Sequence, residues 1–246
     1  MHVKTGSIHI GTSGWHYGHW RGPFYPEDLS PEGFLEFYAQ RFQTVEINNS
    51  FYQLPSEPAL ESWRQGVPDN FIFAVKGSRF ITHMKKLKDP ERSLAPFLQR
   101  IVVLQEKLGP ILFQLPPRWR FNESRLAAFL EALPGGHRYT LELRDQSWIN
   151  AAALDLLARY GAAFCIYELD GFLSPREVTA DFVYIRLHGP GGPYQGQYDS
   201  QTLAGWAGAI STWSRQGRDV FCYFDNDDAG YAARNALQLQ NMLQSG

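Results

Sequence analysis

The chain has 246 residues, 44% hydrophobic and 20% charged, a balance that excludes global disorder and suits a protein with a large buried core. With 23 Lys and Arg against 25 Asp and Glu, the net charge of −2 argues against a surface coated in positive charge for non-specific nucleic-acid binding, although a local basic groove survives that average. Cys165 and Cys222 form no Cys-x-x-Cys pair, Met1 to Gly6 carry no apolar leader, and no apolar run approaches the ~20 residues of a membrane span, so the expectation is a cytoplasmic protein with no membrane partner.

In chain order, a strand rich in β-formers is predicted over residues 8–12. Ser30-Pro31-Glu32 then opens a helix carrying Phe34, Leu35 and Tyr38 at helical spacing. Strands follow over 44–48 and 71–76. Asp89-Pro90-Glu91 starts the next helix, with the Asp89 side chain as acceptor for the first N–H groups and Gly109-Pro110 as its stop. A strand over 111–115 precedes a helix capped by Asn122, whose Leu126, Phe129, Leu130 and Leu133 make one apolar stripe. Strands over 138–143, 163–167 and 182–188 come next, then a helix bearing Leu203, Trp206, Ile210 and Trp213. The last strand, 219–224, is followed by a helix bearing Ala233, Ala236, Leu237 and Met242. Eight strands alternating with helices predict an α/β fold, a (β/α)8 TIM-barrel-like closed parallel barrel, as a single domain over residues 1–246. An open doubly wound sheet is the competitor, but Gly11-Thr12-Ser13-Gly14 lacks the spacing of a phosphate loop.

Alternate residues of a strand share a face, so polar residues two apart near its C-terminal end point together toward the barrel axis. Glu46 and Asn48, Glu142 and Arg144, and Arg186 and His188 are such pairs; Lys76 closes the third strand, and Gln114 is the lone polar residue in the fourth. Six ionisable groups therefore converge: Glu46, Lys76, Glu142, Arg144, Arg186 and His188. They form either a self-satisfied ion network or a site awaiting a ligand. Three cations against two carboxylates leave one positive charge for an anionic substrate to balance.

Other features are weaker. His16-x-x-His19 sits among aromatics and reads as a packed or solvated loop, not a metal site. His83 matters through its nearness to Lys76. Lys85, Lys86 and Lys88 read as a solvated face, and Asp225-Asn226-Asp227-Asp228 as the cap of the last helix. Gly189 to Pro193 is a loop able to move, bringing Tyr194 and Tyr198 over a ligand.

Ile10-Gly11-Thr12-Ser13-Gly14-Trp15, Phe24-Tyr25-Pro26, Val45-Glu46-Ile47-Asn48 with Phe51-Tyr52, Lys76 with Ile81-Thr82-His83, Gln114-Leu115-Pro116-Pro117, Glu142-Leu143-Arg144 with Ser147-Trp148, Tyr184 to Gly189, and Tyr223-Phe224 with Asn226 occur in that order. Together they resemble the motifs of the YecE-like family, a domain of unknown function. The resemblance implies a TIM barrel and a bacterial-type cytosolic protein, and carries no reaction. Asp225 departs from the family pattern, which more often has a neutral residue there.

The residues point to a hydrolase- or lyase-like enzyme acting by general acid/base chemistry on an anionic, phosphate-bearing small molecule or nucleic-acid fragment. Arg144, Arg186 and Lys76 would bind the anion, Glu46 or Glu142 would act as base and His188 as acid. Trp15, Tyr52 and Tyr198 would stack on a ring, with Asn48, His83, Gln114 and Asn226 completing the substrate contacts. No cofactor is evident, and a divalent metal is allowed but not required by the sequence. No protein partner is indicated. The alternatives are a paired-carboxylate glycosidase using Glu46 and Glu142, and a non-catalytic anion-binding protein.

Overall fold

In the computed structural model the described residues are 4–244; Met1 to Val3, part of the segment read above as lacking an apolar leader, lie outside them. Eight parallel strands form a nearly closed, TIM-barrel-like barrel: β1 (Ile8–Thr12), β2 (Thr44–Ile47), β3 (Ile72–Lys76), β4 (Leu108–Gln114), β5 (Tyr139–Glu142), β6 (Ala163–Leu169), β8 (Phe182–Leu187) and β9 (Asp219–Phe224). A two-residue strand, β7 (Phe172–Leu173), pairs antiparallel with β6 and was not foreseen. The ladder runs β2-β3-β4-β5-β6-β8-β9-β1.

The helices are α1 (Phe34–Ala39), α2 (Glu57–Gln65), α3 (Pro90–Ile101), α4 (Glu123–Glu131), α5 (Ala151–Arg159), α6 (Ser200–Arg215) and α7 (Tyr231–Gln244). Burial on both faces is what makes the strands near-continuous in Val, Ile, Phe and Tyr. One core lies between barrel and helices, joining Val45, Val75, Phe113, Leu141, Ile185 and Phe224 to helix stripes such as Leu126, Phe129 and Leu130. A second fills the barrel itself with Ala74, Leu112, Cys165, Tyr184, Phe221 and Tyr223. Residues two further on from several of these face the mouth. No helix among the described residues is long and apolar enough to cross a membrane.

The β1–β2 seam is the weakest pairing, a single parallel bridge between Ser13 and Glu46. It is stitched by the Tyr38 hydroxyl from α1, which accepts from Thr12 N–H at 2.9 Å and donates to the Thr44 carbonyl at 3.0 Å. Gly11 has no side chain to collide with that carbonyl, which is why the strands close there.

Several local expectations are corrected. Asn122 does cap α4, its Oδ1 accepting from Arg125 N–H at 2.9 Å. Asp89 does not cap α3 with its side chain: its backbone is left-handed, φ 46°, where an N-cap is normally extended, and its carboxylate makes no bond to the helix's first amides. Gly109 and Pro110 do not end that helix either. Reversal happens earlier, in a 3-10 run over Val102–Lys107 with Gln105 at φ 51°, and both residues lie inside β4. The register shift between β3 and β4 at that point accommodates a proline with no N–H to donate.

Candidate functional site

The C-terminal ends of the strands bring together the six ionisable groups that alternation placed on one face. Arg186, at the end of β8, is the hub and has no exposed surface. Its Nε donates to the Glu46 carboxylate at 3.1 Å and its Nη1 to Glu142 at 2.8 Å and to His188 Nε2 at 2.8 Å. Nη2 donates to Glu46 at 2.8 Å, to Asp225 at 2.7 Å and to the Ser13 hydroxyl at 3.1 Å. All five N–H groups of the guanidinium therefore have acceptors, and none is left for a ligand while the network is intact.

Around that hub the carboxylates are also occupied. Glu46 accepts from the Tyr184 hydroxyl at 2.6 Å and from Ser13. Glu142 is bonded to Arg144 as well as Arg186; burial alone would lift its carboxyl, but the guanidiniums of Arg144 and Arg186 outweigh that and hold it well below the usual carboxylate range. Asp225 behaves oppositely, with burial raising it to about 7 against the pull of Arg186 and Lys76. It was expected to cap the last helix; it lies instead in the barrel mouth, because Asp225 continues the inward face of Tyr223. Its charge changes the balance: three cations against three carboxylates, where two were counted from sequence.

His188 is wedged between two guanidiniums, its Nε2 meeting Arg186 Nη1 at 2.8 Å and Arg144 Nη2 at 3.0 Å. Arginine has no acceptor, so Nε2 must accept, and the ring proton lies on Nδ1, donated to the Glu168 carbonyl at 2.8 Å. The imidazole is neutral, held well below its ordinary value by burial and then by Arg186. It has no Nε2 proton to give in this arrangement. Glu46, Glu142, Arg186 and His188 are all sealed from solvent.

The other half of the mouth is unsatisfied. Lys76, 6% exposed at the end of β3, makes no hydrogen bond; its ammonium lies 4.5 Å above the ring of Phe51. Burial, then the charge of Arg186, lowers it to about 8. The buried Oδ1 of Asn48 and Oε1 of Gln114, on the neighbouring strand ends, have no donor. Arg144 Nη1 makes no hydrogen bond, and its guanidinium lies 5.1 Å from the Tyr167 ring. His83, half-buried, packs edge-on against the same Phe51 and is lowered by burial and by Lys76, Arg79 and Arg144, a cationic rim.

The remaining expected contacts divide. Tyr52 is 73% exposed beside this rim, but Trp15 and Tyr198 are each 2% exposed and packed in the outer core, so neither offers a face to a ligand. Asn226 has an unpartnered Oδ1, while its Nδ2 donates to the Gly196 carbonyl at 2.7 Å and ties down the loop after β8. In that loop Tyr194, at φ 65°, lays its ring 5.6 Å from His188 and covers it. Tyr194 is the loop tyrosine expected over the site, whereas Ser13 and Tyr184 carry no signal of their role in the sequence beyond Tyr184 lying two residues before Arg186 on the same face. His16 packs on Trp15 and Trp63, as a packed loop requires. A cleft of about 720 Å³ opens between α1 and α2, lined by His16 and Trp63 but by none of the charged groups of the barrel mouth. Among the described residues no three His, Cys, Asp or Glu side chains are grouped to hold a metal.

The model of the family described as "Protein of unknown function DUF72" matches residues 9–246. The chain is 24% identical to UPF0759 protein YunF of Bacillus subtilis, over 96% of this chain and 94% of that one. It is 34% identical to UPF0759 protein YecE of Escherichia coli, over 45% of this chain and 41% of that one. A crystal structure of a DUF72 family protein from Thermotoga maritima superposes with a TM-score of 0.85 at 28% identity, covering 97% of this chain and 99% of that one. Another from Enterococcus faecalis gives 0.83 at 22%, covering 96% and 95%.

Proposed function

The chain belongs to the DUF72 family, whose members share this barrel without an assigned reaction, and from that premise we propose that it is an enzyme acting by general acid/base chemistry on an anionic, phosphate-bearing small molecule or nucleic-acid fragment at the barrel mouth. One observation carries the reading: Lys76, a residue only 6% exposed, has no hydrogen-bond acceptor for its ammonium, and the strand ends on either side of it carry the buried, unpartnered oxygens of Asn48 and Gln114. Leaving a buried charge and two buried acceptors unpaired costs several kcal/mol, on the order of 1–3 per acceptor, unless a ligand completes them. An anion meets Lys76 and Arg144, with Arg79 and His83 behind them.

The roles first expected of the charged set change with the geometry. Glu46, Glu142 and Arg186 satisfy one another and position Arg144 and His188, while His188 acts as a neutral acceptor. Proton transfer near neutrality falls to Asp225, at about 7, and Lys76, at about 8. A paired-carboxylate glycosidase needs a carboxylic acid donor, and Glu142 is held in the opposite direction.

Isothermal titration with orthophosphate tests the reading. Saturable binding that weakens at least tenfold in Lys76→Met, with the variant folded as the wild type by circular dichroism, supports it. Absence of binding by the wild type, or equal binding by Lys76→Met, overturns it. Binding without turnover in any carbonyl, ester or phosphoester screen favours a non-catalytic anion-binding protein.

A further inference from the structure

Lys76 differs from the other lysines of the chain in its surroundings. Lys4, Lys86 and Lys88 lie at the surface, Lys85 is partly exposed, and Lys107, though buried, donates to the Arg64 and Val67 carbonyls at 2.7 and 2.8 Å. Lys76 is buried to the same degree and has neither carbonyl nor carboxylate within hydrogen-bond distance. Its neighbours on the inward face are the aliphatic Ala74 below and the Phe51 ring alongside, so its amine projects from an apolar wall into the polar mouth. A structural ammonium is held by acceptors, as Lys107 is; Lys76 has none, and its burial together with the charge of Arg186 outweighs the Phe51 ring and the carboxylates of Asp225, Glu46 and Glu142 that favour the ammonium, so it gives up its proton more readily than an ordinary lysine.

We propose that Lys76 is a nucleophile that forms an imine with the carbonyl carbon of an anionic, phosphate-bearing aldehyde or ketone. The inference rests on the anion-binding reading above and names the substrate class for that site. The ammonium first gives up one proton. The free amine then adds to the carbonyl carbon, forming the C–N bond while the C=O π pair moves to oxygen. The carbinolamine oxygen, taking protons from the solvent and the nitrogen, leaves as water, so that ammonium plus carbonyl gives protonated imine plus water with no oxidant or reductant required. Gln114 Oε1 and Asn48 Oδ1, acceptors without donors, take hydrogen bonds from the carbinolamine hydroxyl or from substrate hydroxyls. Asp225 and Glu142, whose charges act on Lys76, lie close enough to respond to the change in its charge. Arg144 takes the phosphate, its Nη1 having no acceptor within the protein.

Reductive trapping tests this. The intact protein is incubated with dihydroxyacetone phosphate and sodium borohydride, and separately with formaldehyde and sodium cyanoborohydride, and modified lysines are located by peptide mass spectrometry. The expected result is an adduct at Lys76 from both carbonyls. With formaldehyde, modification of Lys76 at neutral pH exceeds that of exposed Lys86 and Lys88, with a half-point near 8. Unphosphorylated dihydroxyacetone should label Lys76 at least tenfold less than its phosphate ester. Lys76→Arg, folded as the wild type by circular dichroism, should abolish the adduct. Labelling confined to surface lysines, in a protein that binds orthophosphate, overturns the imine and leaves the anion site standing. Failure of both labelling and phosphate binding overturns both.

Discussion

Replacing Arg186 with Met removes the cation at the centre of the buried network. The side chain has no exposed surface and bonds three carboxylates, so its loss leaves Glu46 with only the Ser13 and Tyr184 hydroxyls and Asp225 with no cation in contact. Breaking a buried ion pair from one side costs about 3–5 kcal/mol, since the remaining charge is stranded. At ~2–4 °C per kcal/mol for a chain of this length, that is roughly 6–20 °C in Tm. The deficit also has a sign in pH. In the wild type Glu142 is held below its unfolded value, so its contribution is present above the ordinary carboxylate range and is lost only in strong acid. In the variant the stranded carboxyls are shifted upward, so the folded state takes up protons as pH falls and recovers stability. Urea unfolding of both proteins at neutral pH and at about pH 5 should show the gap narrowing by a third or more. A loss under about 1 kcal/mol at neutral pH, or a gap that widens in acid, refutes the assignment of Arg186 as the neutralising hub.

Three further outcomes follow from the same geometry. Asp225 has its folded value raised to about 7, so its contribution is fully present below the unfolded carboxylate value and is lost as pH rises through 7; Asp225→Asn should flatten the stability profile between about pH 4 and 8, measured by thermal melts. Tyr194 sits at φ 65°, where glycine is unstrained, so Tyr194→Gly should leave Tm unchanged or slightly raised while speeding modification of His188 by diethyl pyrocarbonate, read by mass spectrometry. Gly109→Ala places a methyl against the Ile72 side chain and 3.2 Å from the Phe73 carbonyl, and should cost about 1–3 kcal/mol in urea unfolding.

The barrel is legible because its signal is local: each strand is a short run of β-formers, and alternation alone assigns Glu46, Glu142, Arg186 and His188 to one face. What alternation cannot show is who bonds whom. That Arg186 exhausts its donors depends on Ser13, Glu46, Glu142, His188 and Asp225 arriving from five strand ends, and only the closed ring brings them together. Asp225 looked like a cap because acidic residues before a helix usually are one, although its distance of two from Tyr223 already placed it inward. Trp15 belongs to one of the motifs and Tyr198 to the loop after β8, but both point into the outer core, a matter of loop path. Gly109-Pro110 carries the composition of a helix stop, and a register-shifted strand has the same requirement for a residue without an N–H. The unpaired state of Lys76, Asn48 and Gln114 is a property of absent partners, which no residue type announces.

The central claim is that this unsatisfied arc, not the sealed network beneath it, receives an anion. The most direct measurement is a crystal structure of the protein as purified, or soaked with phosphate, refined for density at the mouth. The account predicts a phosphoryl group bonded to Lys76 Nζ or Arg144 Nη1, with Gln114 and Asn48 receiving the ligand's donors. A neutral sugar filling that arc with no anionic group, or Lys76 repacked against a protein carbonyl with the mouth closed, would contradict it.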